Sequence, residues 1–196
     1  MPVENLLPNG NSVTSGWTAE GGPDYTSVDD PVGSPDDGTT KVYTPTANHL
    51  FSVTLQNTAL TTETINKVTG TIRMYALDPI SATVQMYVTV GGTDYFSDTK
   101  DTVNNNTTYV NFTYDWTTSP ATGIAWTVSE LNALVFGIKK INTAGMRCTQ
   151  MYVSVDYTAA GGAVVKTYNG LAIASVKTVG GLAIASVKTI NGISNV

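Results

Sequence analysis

Residues that could carry catalysis are few in this 196-residue chain. His49 is the only histidine and Cys148 the only cysteine, so a Ser–His–Asp or Cys–His arrangement would have to use one of them. The sequence contains no nucleophile-elbow or phosphate-loop motif. His49 opens an alternating apolar run and Cys148 lies within another, which favours a strand-end histidine and a small core cysteine. The sequence therefore predicts a protein that is not an enzyme.

Two acidic pairs, Asp29-Asp30 and Asp36-Asp37, could contribute oxygen ligands to a calcium site. Both lie beside proline or glycine, and aspartate is common there because its side chain bonds to the backbone of turns. EF-hand spacing is absent. Turns are the favoured interpretation, and we predict neither a metal site nor a cofactor.

The aromatic residues suggest a binding function. Three tryptophans and ten tyrosines offer flat faces on which sugars can stack. Trp17 and Trp116 are the candidates for such a glycan-stacking surface. Trp116 and Trp126 also flank the loop before a predicted helix, so a hydrophobic plug over one end of the fold is the alternative for them.

Charge and hydropathy exclude several partners. Residues 1–160 hold seven basic and fifteen acidic residues, which disfavours binding to nucleic acid. No apolar run approaches the length of a membrane span. The N-terminus lacks the basic and apolar segments of a secretory signal.

Residues 1–48 are rich in turn signals, among them Asn9-Gly10. Alternation of apolar and polar residues, clearest from residue 49 onwards, predicts about eight strands. Thr127 and Glu130 fit a capping box that opens a short helix through Ala133. Because turn signals recur about every ten residues, we expect an all-β, jelly-roll-like β-sandwich over residues 1–158. The expected strands, of which the first two are short, are Trp17–Ala19, Lys41–Thr44, His49–Leu55, Ile65–Ala76, Ala82–Val90, Thr93–Ser97, Thr108–Tyr114, Leu134–Lys140 and Arg147–Tyr157.

An eleven-residue repeat fills the C-terminal part of the chain. A Gly/Ala linker at 159–164 precedes two full copies and one truncated copy within 165–196, and nine of eleven positions agree between the full copies. Asn-Gly or Gly-Gly in each copy predicts strand–turn–strand rather than helix. So few copies bury little of their own surface, so we expect several chains, as in a homotrimer, to combine them. The expected oligomerisation or anchoring residues are Tyr168, Leu171, Ile173, Val176, Val179, Leu182, Ile184, Val187, Ile190 and Ile193.

The stretch 119–134, SPATGIAWTVSELNAL, together with 150–157, QMYVSVDY, resembles a jelly-roll-like domain common among structural proteins of tailed bacteriophages. The resemblance covers about residues 5–157, with Ser119 where the family pattern usually has Asn. The tail is similar to NGLAIASVK-type repeats that end assorted phage virion proteins. This resemblance implies a virion component, as a head decoration, head fibre or tail accessory protein, and brings no catalytic residue.

Three functions therefore stand as hypotheses. The leading one is a phage virion structural protein, assembled in the host cytoplasm and displayed on the virion surface, whose partners are copies of itself and other virion proteins. The second is a carbohydrate-binding module on a virion or cell surface, with surface glycans as ligands. The third is a self-polymerising filament subunit, in which tail strands add to the sheet of the next copy. A flexible tail that folds only on a partner is the alternative for the repeats.

Overall fold

The computed structural model describes residues 1–77, 81–101 and 108–159, together with short strands in the C-terminal repeats. The chain divides into two compact units, Met1–Thr158 and Ala159–Val196. Within the described ranges, no helix is long and apolar enough to cross a membrane.

The first unit is a β-sandwich of two antiparallel sheets, as the sequence predicts. Sheet A has the order β3 (Thr18–Glu20), β4 (Lys41–Thr44), β11 (Met146–Thr158), β6 (Thr64–Ala76) and β9 (Val110–Trp116), and β1 (Val3–Leu6) also pairs with β11. Sheet B has the order β2 (Pro8–Thr14), β5 (Leu50–Leu55), β10 (Val135–Lys140), β7 (Thr83–Val90) and β8 (Thr93–Asp101).

The core lies between the sheets and follows directly from the alternation in sequence. Phe51 and Val53 of β5 are fully buried, as are Ile72 and Met74 of β6. Because successive side chains of a strand point to opposite faces, the residues between them lie on the outer face of each sheet. Burial of these aliphatic and aromatic side chains supplies the main driving force for folding.

The N-terminal segment corrects one expectation. Strands β1 and β2 occupy a stretch that the sequence indicates to be turn-rich, and Asn9-Gly10 lies within β2 instead of in a turn. The register against β5 shifts between Pro8 and Gly10, which marks a β-bulge. A Cβ at Gly10 would lie 2.8 Å from the Thr54 hydroxyl oxygen, so glycine permits this close approach.

The predicted capping box is confirmed. Helix α1 (Val128–Asn132) has Thr127 as N-cap, whose hydroxyl accepts a bond from the Glu130 amide, while the Glu130 carboxylate accepts one from the Thr127 amide at 2.8 Å. The buried Trp126 ring precedes this helix and donates to the Trp116 carbonyl at 3.0 Å. The hydrophobic-plug interpretation of these tryptophans agrees with their burial.

One tyrosine covers part of the outer face of sheet B. Tyr87 points away from the core, since its neighbours Met86 and Val88 face inwards, yet it is only 1% exposed. A Cβ on Gly137 would lie 2.3 Å from the Tyr87 ring, which shows that the ring lies across the glycine of the adjacent strand. Phe96 packs against the same ring with centroids 5.3 Å apart.

The described residues of the second unit form three short hairpins with the same pairing pattern. Strand β12 (Thr167–Tyr168) pairs with β13 (Leu171–Ala172), β14 (Thr178–Val179) with β15 (Leu182–Ala183), and β16 (Thr189–Ile190) with β17 (Ile193–Ser194). The predicted strands are confirmed, the predicted turns at 169–170, 180–181 and 191–192 lie outside the described residues, and assembly through this unit stays a prediction. Four of the expected contact residues lie outside the described residues: Ile173, Val176, Ile184 and Val187.

The capping box makes stability depend on pH. Burial raises the pKa of Glu130, but hydrogen bonds from Ser119 and Thr127 outweigh it, so the pKa lies below its ordinary value. A lowered folded-state pKa gives stabilisation that is present above the unfolded-state pKa and lost as the pH falls through the folded-state pKa. Glu130→Gln should therefore lower the free energy of unfolding by about 1 kcal/mol at pH 7. The difference from wild type should shrink as the pH falls below about 4.

Urea unfolding at pH 7 and pH 3 measures this difference. Ser129→Ala, on the same helix but outside the capping box, is the control and should stay within about 0.5 kcal/mol of wild type. A Glu130→Gln effect of equal size at both pH values would contradict the electrostatic origin.

Candidate functional site

Neither candidate catalytic residue lies in a catalytic arrangement. His49 immediately precedes β5, is half-buried, and its Nδ1 lies 3.0 Å from the Thr44 hydroxyl. Cys148 is fully buried in β11 with its thiol 3.5 Å from the Gln150 carbonyl. Burial raises the pKa of the Cys148 thiol to about 12, so the nucleophilic thiolate is strongly disfavoured. The expectation of a strand-end histidine and a core cysteine is confirmed.

The acidic pairs shape a loop. Asp30 accepts a bond from the Asp36 amide at 2.7 Å, and Asp36 accepts from the amide and hydroxyl of Thr40. Asp37 forms a two-bond ion pair with Arg73. Within the described ranges, no three histidine, cysteine or acidic residues come together as metal ligands. These carboxylates bind the protein's own backbone and side chains, as turn chemistry predicts.

The tryptophans do not form a stacking surface. Trp17 and Trp116 are 7% and 6% exposed, and Trp17 packs against Phe51 in the core. A buried indole cannot present its face to a sugar, so the hypothesis of glycan stacking on Trp17 and Trp116 is wrong. The physical reason is size, because each indole buries more apolar area in the core than it would cover at the surface.

A small pocket lies between helix α1 and the β7–β8 turn, lined by Val90, Gly91, Ser129, Glu130 and Ala133. Its volume of about 210 Å³ is below the range typical of small-molecule sites. The Glu130 carboxylate at its wall is already engaged in the capping box. This pocket is therefore a weak candidate.

The strongest candidate is a line of side chains across the solvent side of sheet A. Tyr43 of β4 pairs with Arg147 of β11, and Arg147 pairs with Tyr75 of β6. The residues before and after each of the three are buried, so these three half-buried side chains emerge on the outer face. Tyr109 extends the line, with its ring edge-on to Tyr75 at a centroid distance of 4.5 Å. We call these four residues the Tyr–Arg row.

The Tyr–Arg row is held in place by hydrogen bonds and ring contacts. Arg147 Nη1 donates to the Tyr75 hydroxyl at 2.8 Å, which fixes the arginine against the next strand. Arg73, also on β6, lies 5.9 Å from the Tyr109 ring centroid and donates to Asn111 at 3.1 Å. Burial raises the pKa of Tyr109, so its hydroxyl stays protonated. Four strands at a spacing of about 4.8 Å give the row a length of about 14 Å.

A bulge in β11 positions the loop that carries the acidic pairs beside the row. The register against β6 shifts between Cys148 and Gln150, and the Gln150 side chain then donates to the carbonyls of Asp30 and Pro31 at 3.0 and 2.9 Å. Thr149 donates to the Thr40 carbonyl at 2.9 Å. These bonds hold the acidic loop against the sheet, where Asp37 meets Arg73.

Sequence reasoning missed the Tyr–Arg row. A signal was present, since Val-Tyr-Thr, Met-Tyr-Ala and Met-Arg-Cys each place a large polar or aromatic residue between two residues that become buried. The alternation assigns Tyr43, Tyr75 and Arg147 to outer faces. It does not reveal that their strands are neighbours, because pairing and register come from the whole sheet.

Comparisons with known proteins found only remote structural likeness. No protein-family model and no curated protein sequence matches the chain. Solved structures that superpose on it include the family 22 carbohydrate-binding and family 10 hydrolase modules of a Clostridium thermocellum xylanase with xylohexaose, at 10% identity and TM-score 0.45. That alignment covers 83% of this chain and spans about a third (31%) of the xylanase chain.

Two further structures are single modules. One is the C-terminal family 6 module of a Zobellia galactanivorans laminarinase, at 8% identity and TM-score 0.49 over 79% of this chain and 100% of the module. The other is a family 35 module from Cellvibrio japonicus, at 13% identity and TM-score 0.43 over 82% and 100%. At such values no ligand is transferred to this chain.

The burial of Cys148 predicts that its thiol is inert in the folded protein. At pH 8 a chromogenic disulfide reagent should leave the native thiol unmodified for hours and titrate one thiol per chain after denaturation, because only the unfolded state exposes it. Rapid reaction of the native protein would contradict the buried position.

Proposed function

We propose that the sandwich is a non-catalytic carbohydrate-binding domain whose ligand lies along the Tyr–Arg row. The observation that supports this proposal is the side-by-side placement of Tyr43, Arg147 and Tyr75 on the open face of sheet A. Tyrosine rings provide apolar faces, and arginine and tyrosine provide hydrogen-bond donors, which together suit the alternating apolar and hydroxyl surfaces of a sugar.

The geometry favours an extended ligand. The row is about 14 Å long and lies across a sheet rather than in a deep cavity. Because Tyr75 and Tyr109 are braced by Arg147 and Arg73, little side-chain entropy is lost when a ligand binds. A short oligosaccharide laid across the strands fits this shape.

The geometry also explains why binding without catalysis is proposed. The two arginines at the row contact acidic side chains, Arg73 with Asp37 and Arg147 with Glu20. Glycoside hydrolysis typically uses two carboxyl groups that flank the bond to be cut, one of them protonated. Asp37 and Glu20 are both engaged by these arginines, so neither is placed to flank a bond of the proposed ligand.

Glycan binding should depend on the row and not on tyrosine in general. The full chain is screened on a glycan array, and the affinity for each ligand found is measured by calorimetry. Tyr43→Ala should weaken binding at least about tenfold, which corresponds to about 1.4 kcal/mol, because a stacking face is lost.

Tyr152→Ala is the matched control, since Tyr152 lies on the same strand and face as Arg147 but pairs with Thr71, away from the row. It should leave the affinity unchanged. Binding of no glycan, or equal losses in both variants, would remove the proposal.

A second candidate, a structural protein of a phage virion, rests on the resemblance described above and on the repeat unit. The described strands of each hairpin are two residues long, as in Thr167–Tyr168 with Leu171–Ala172. An isolated two-stranded hairpin is marginally stable in water, so partners that extend such strands would stabilise them. We infer that the repeats assemble with copies of the chain, and a virion surface that displays the sandwich would combine both functions.

Deleting residues 163–196 should convert an oligomer into a monomer, as measured by light scattering after size-exclusion chromatography. A full-length variant with Leu171→Asp and Leu182→Asp should do the same, because charges in the repeated strands oppose their association. Electron microscopy separates closed trimers from filaments. A truncated chain with the same oligomeric state and the same particle attachment as the full chain would exclude assembly through the repeats.

A further inference from the structure

Two arginines on the outer face of sheet A differ in how their guanidinium groups are used. Arg73 offers Nε and Nη2 to the two oxygens of Asp37, which is the paired geometry that arginine and carboxylate prefer. At Arg147 the same edge has only one long contact, from Nη2 to Glu20 at 3.4 Å. Arg147 Nε is buried and has no hydrogen-bond partner among the described residues.

An incompletely bonded guanidinium is costly in a partly buried position. Arg147 is 30% exposed, so solvent reaches only part of its guanidinium group, and a buried donor without a partner is destabilising. Its other end is fixed, since Nη1 donates to Tyr75. The Nε–Nη2 edge is therefore a positioned donor pair that lacks its carboxylate.

We propose that the Tyr–Arg row selects glycans that carry a carboxylate, such as uronic acids, and that Arg147 binds this carboxylate. The inference rests on the proposed glycan-binding function and names its ligand class. A sugar carboxylate at the Nε–Nη2 edge makes the two bonds that Asp37 makes with Arg73, while Tyr43 and Tyr75 contact the ring that bears it.

Glu20 occupies the place of the ligand carboxylate in part. It lies on the edge strand β3, is 38% exposed, and contacts Lys41 at 3.3 Å as well as Arg147 at 3.4 Å. Because Lys41 offers a second partner, Glu20 can leave Arg147 without becoming unpaired. When a ligand carboxylate replaces Glu20, the charge of Arg147 is the one that it neutralises. Asp37 already neutralises Arg73, and Glu20 then neutralises Lys41.

The test compares acidic oligosaccharides with their own neutral forms. Oligogalacturonate, oligoglucuronate and glucuronoxylan fragments are each measured beside the same compound with its carboxyl groups reduced to alcohols. The full chain should bind at least one acidic compound about tenfold or more tightly than its reduced form. This preference should weaken as salt is raised, because the charges are partly exposed.

Variants with opposite expected effects separate recognition from stability. Arg147→Gln should abolish the preference for the acidic form, and Arg147→Lys should restore only part of it, because lysine lacks the two-donor edge. Glu20→Gln should raise the affinity for the acidic form severalfold by removing the competing carboxylate. A merely structural role would make every one of these changes weaken binding. Lys67→Gln, on the same face but paired with Asp115 outside the row, is the charge-matched control.

The outcomes distinguish the inference from the function on which it rests. Equal or tighter binding of the reduced compounds overturns the role of Arg147 and leaves glycan binding intact. Loss of affinity in Glu20→Gln also overturns it. If the array and the acidic panel both give no ligand, the proposed function and the inference fail together.

Discussion

The register of strand β11 is the constraint on which sheet A depends. Its thirteen residues pair with β6 along their length, with β4 near the start and with β1 near the end. A shift of one residue would exchange the faces of Arg147 and Cys148, placing a guanidinium in the core and a thiol in solvent. The cost of burying that charge fixes the register. The bulge at Thr149 adds the acidic loop to the sheet without disturbing the pairing on either side.

From this register follows the difference between the two arginines. Arg73 lies beside the loop that the bulge holds and obtains a complete carboxylate partner from it. Arg147 lies beyond the reach of that loop and shares Glu20 with Lys41 on the short strands at the edge. Both guanidinium groups have their charge fixed at every accessible pH. What distinguishes them is the completeness of their bonding, and the incompletely bonded donor pair of Arg147 is the group that the proposed ligand would complete.

Much of the sandwich could be predicted from the sequence, and the site could not. Alternation around Phe51, Ile72 and Met151 identifies the strands because burial on one face imposes a period of two. The capping box at Thr127 is local, so sequence spacing is enough to predict it.

The Asn9-Gly10 dipeptide led to a wrong prediction of a turn, because the same dipeptide occurs in turns and in bulges and only the partner strand decides which one forms. The prediction of a stacking surface at the tryptophans was also wrong, because the flat ring of Trp17 suits a sugar but its large apolar volume also suits the core. The Tyr–Arg row joins residues more than a hundred positions apart, and only the sheet brings Tyr43 and Arg147 together.

The tyrosine laid over Gly137 has a further consequence for how the protein would hold a polymer. Around Gly137 the outer face of sheet B is covered by the protein's own Tyr87 ring, and the proposed ligand face lies on sheet A, so each sandwich would bind one ligand. Tight retention on a polysaccharide or a cell wall then has to come from several copies acting at once, since linked sites raise the effective concentration of every further contact. If the repeats bring several copies of the chain together, avidity would give the assembly the tight binding that a single shallow face does not provide.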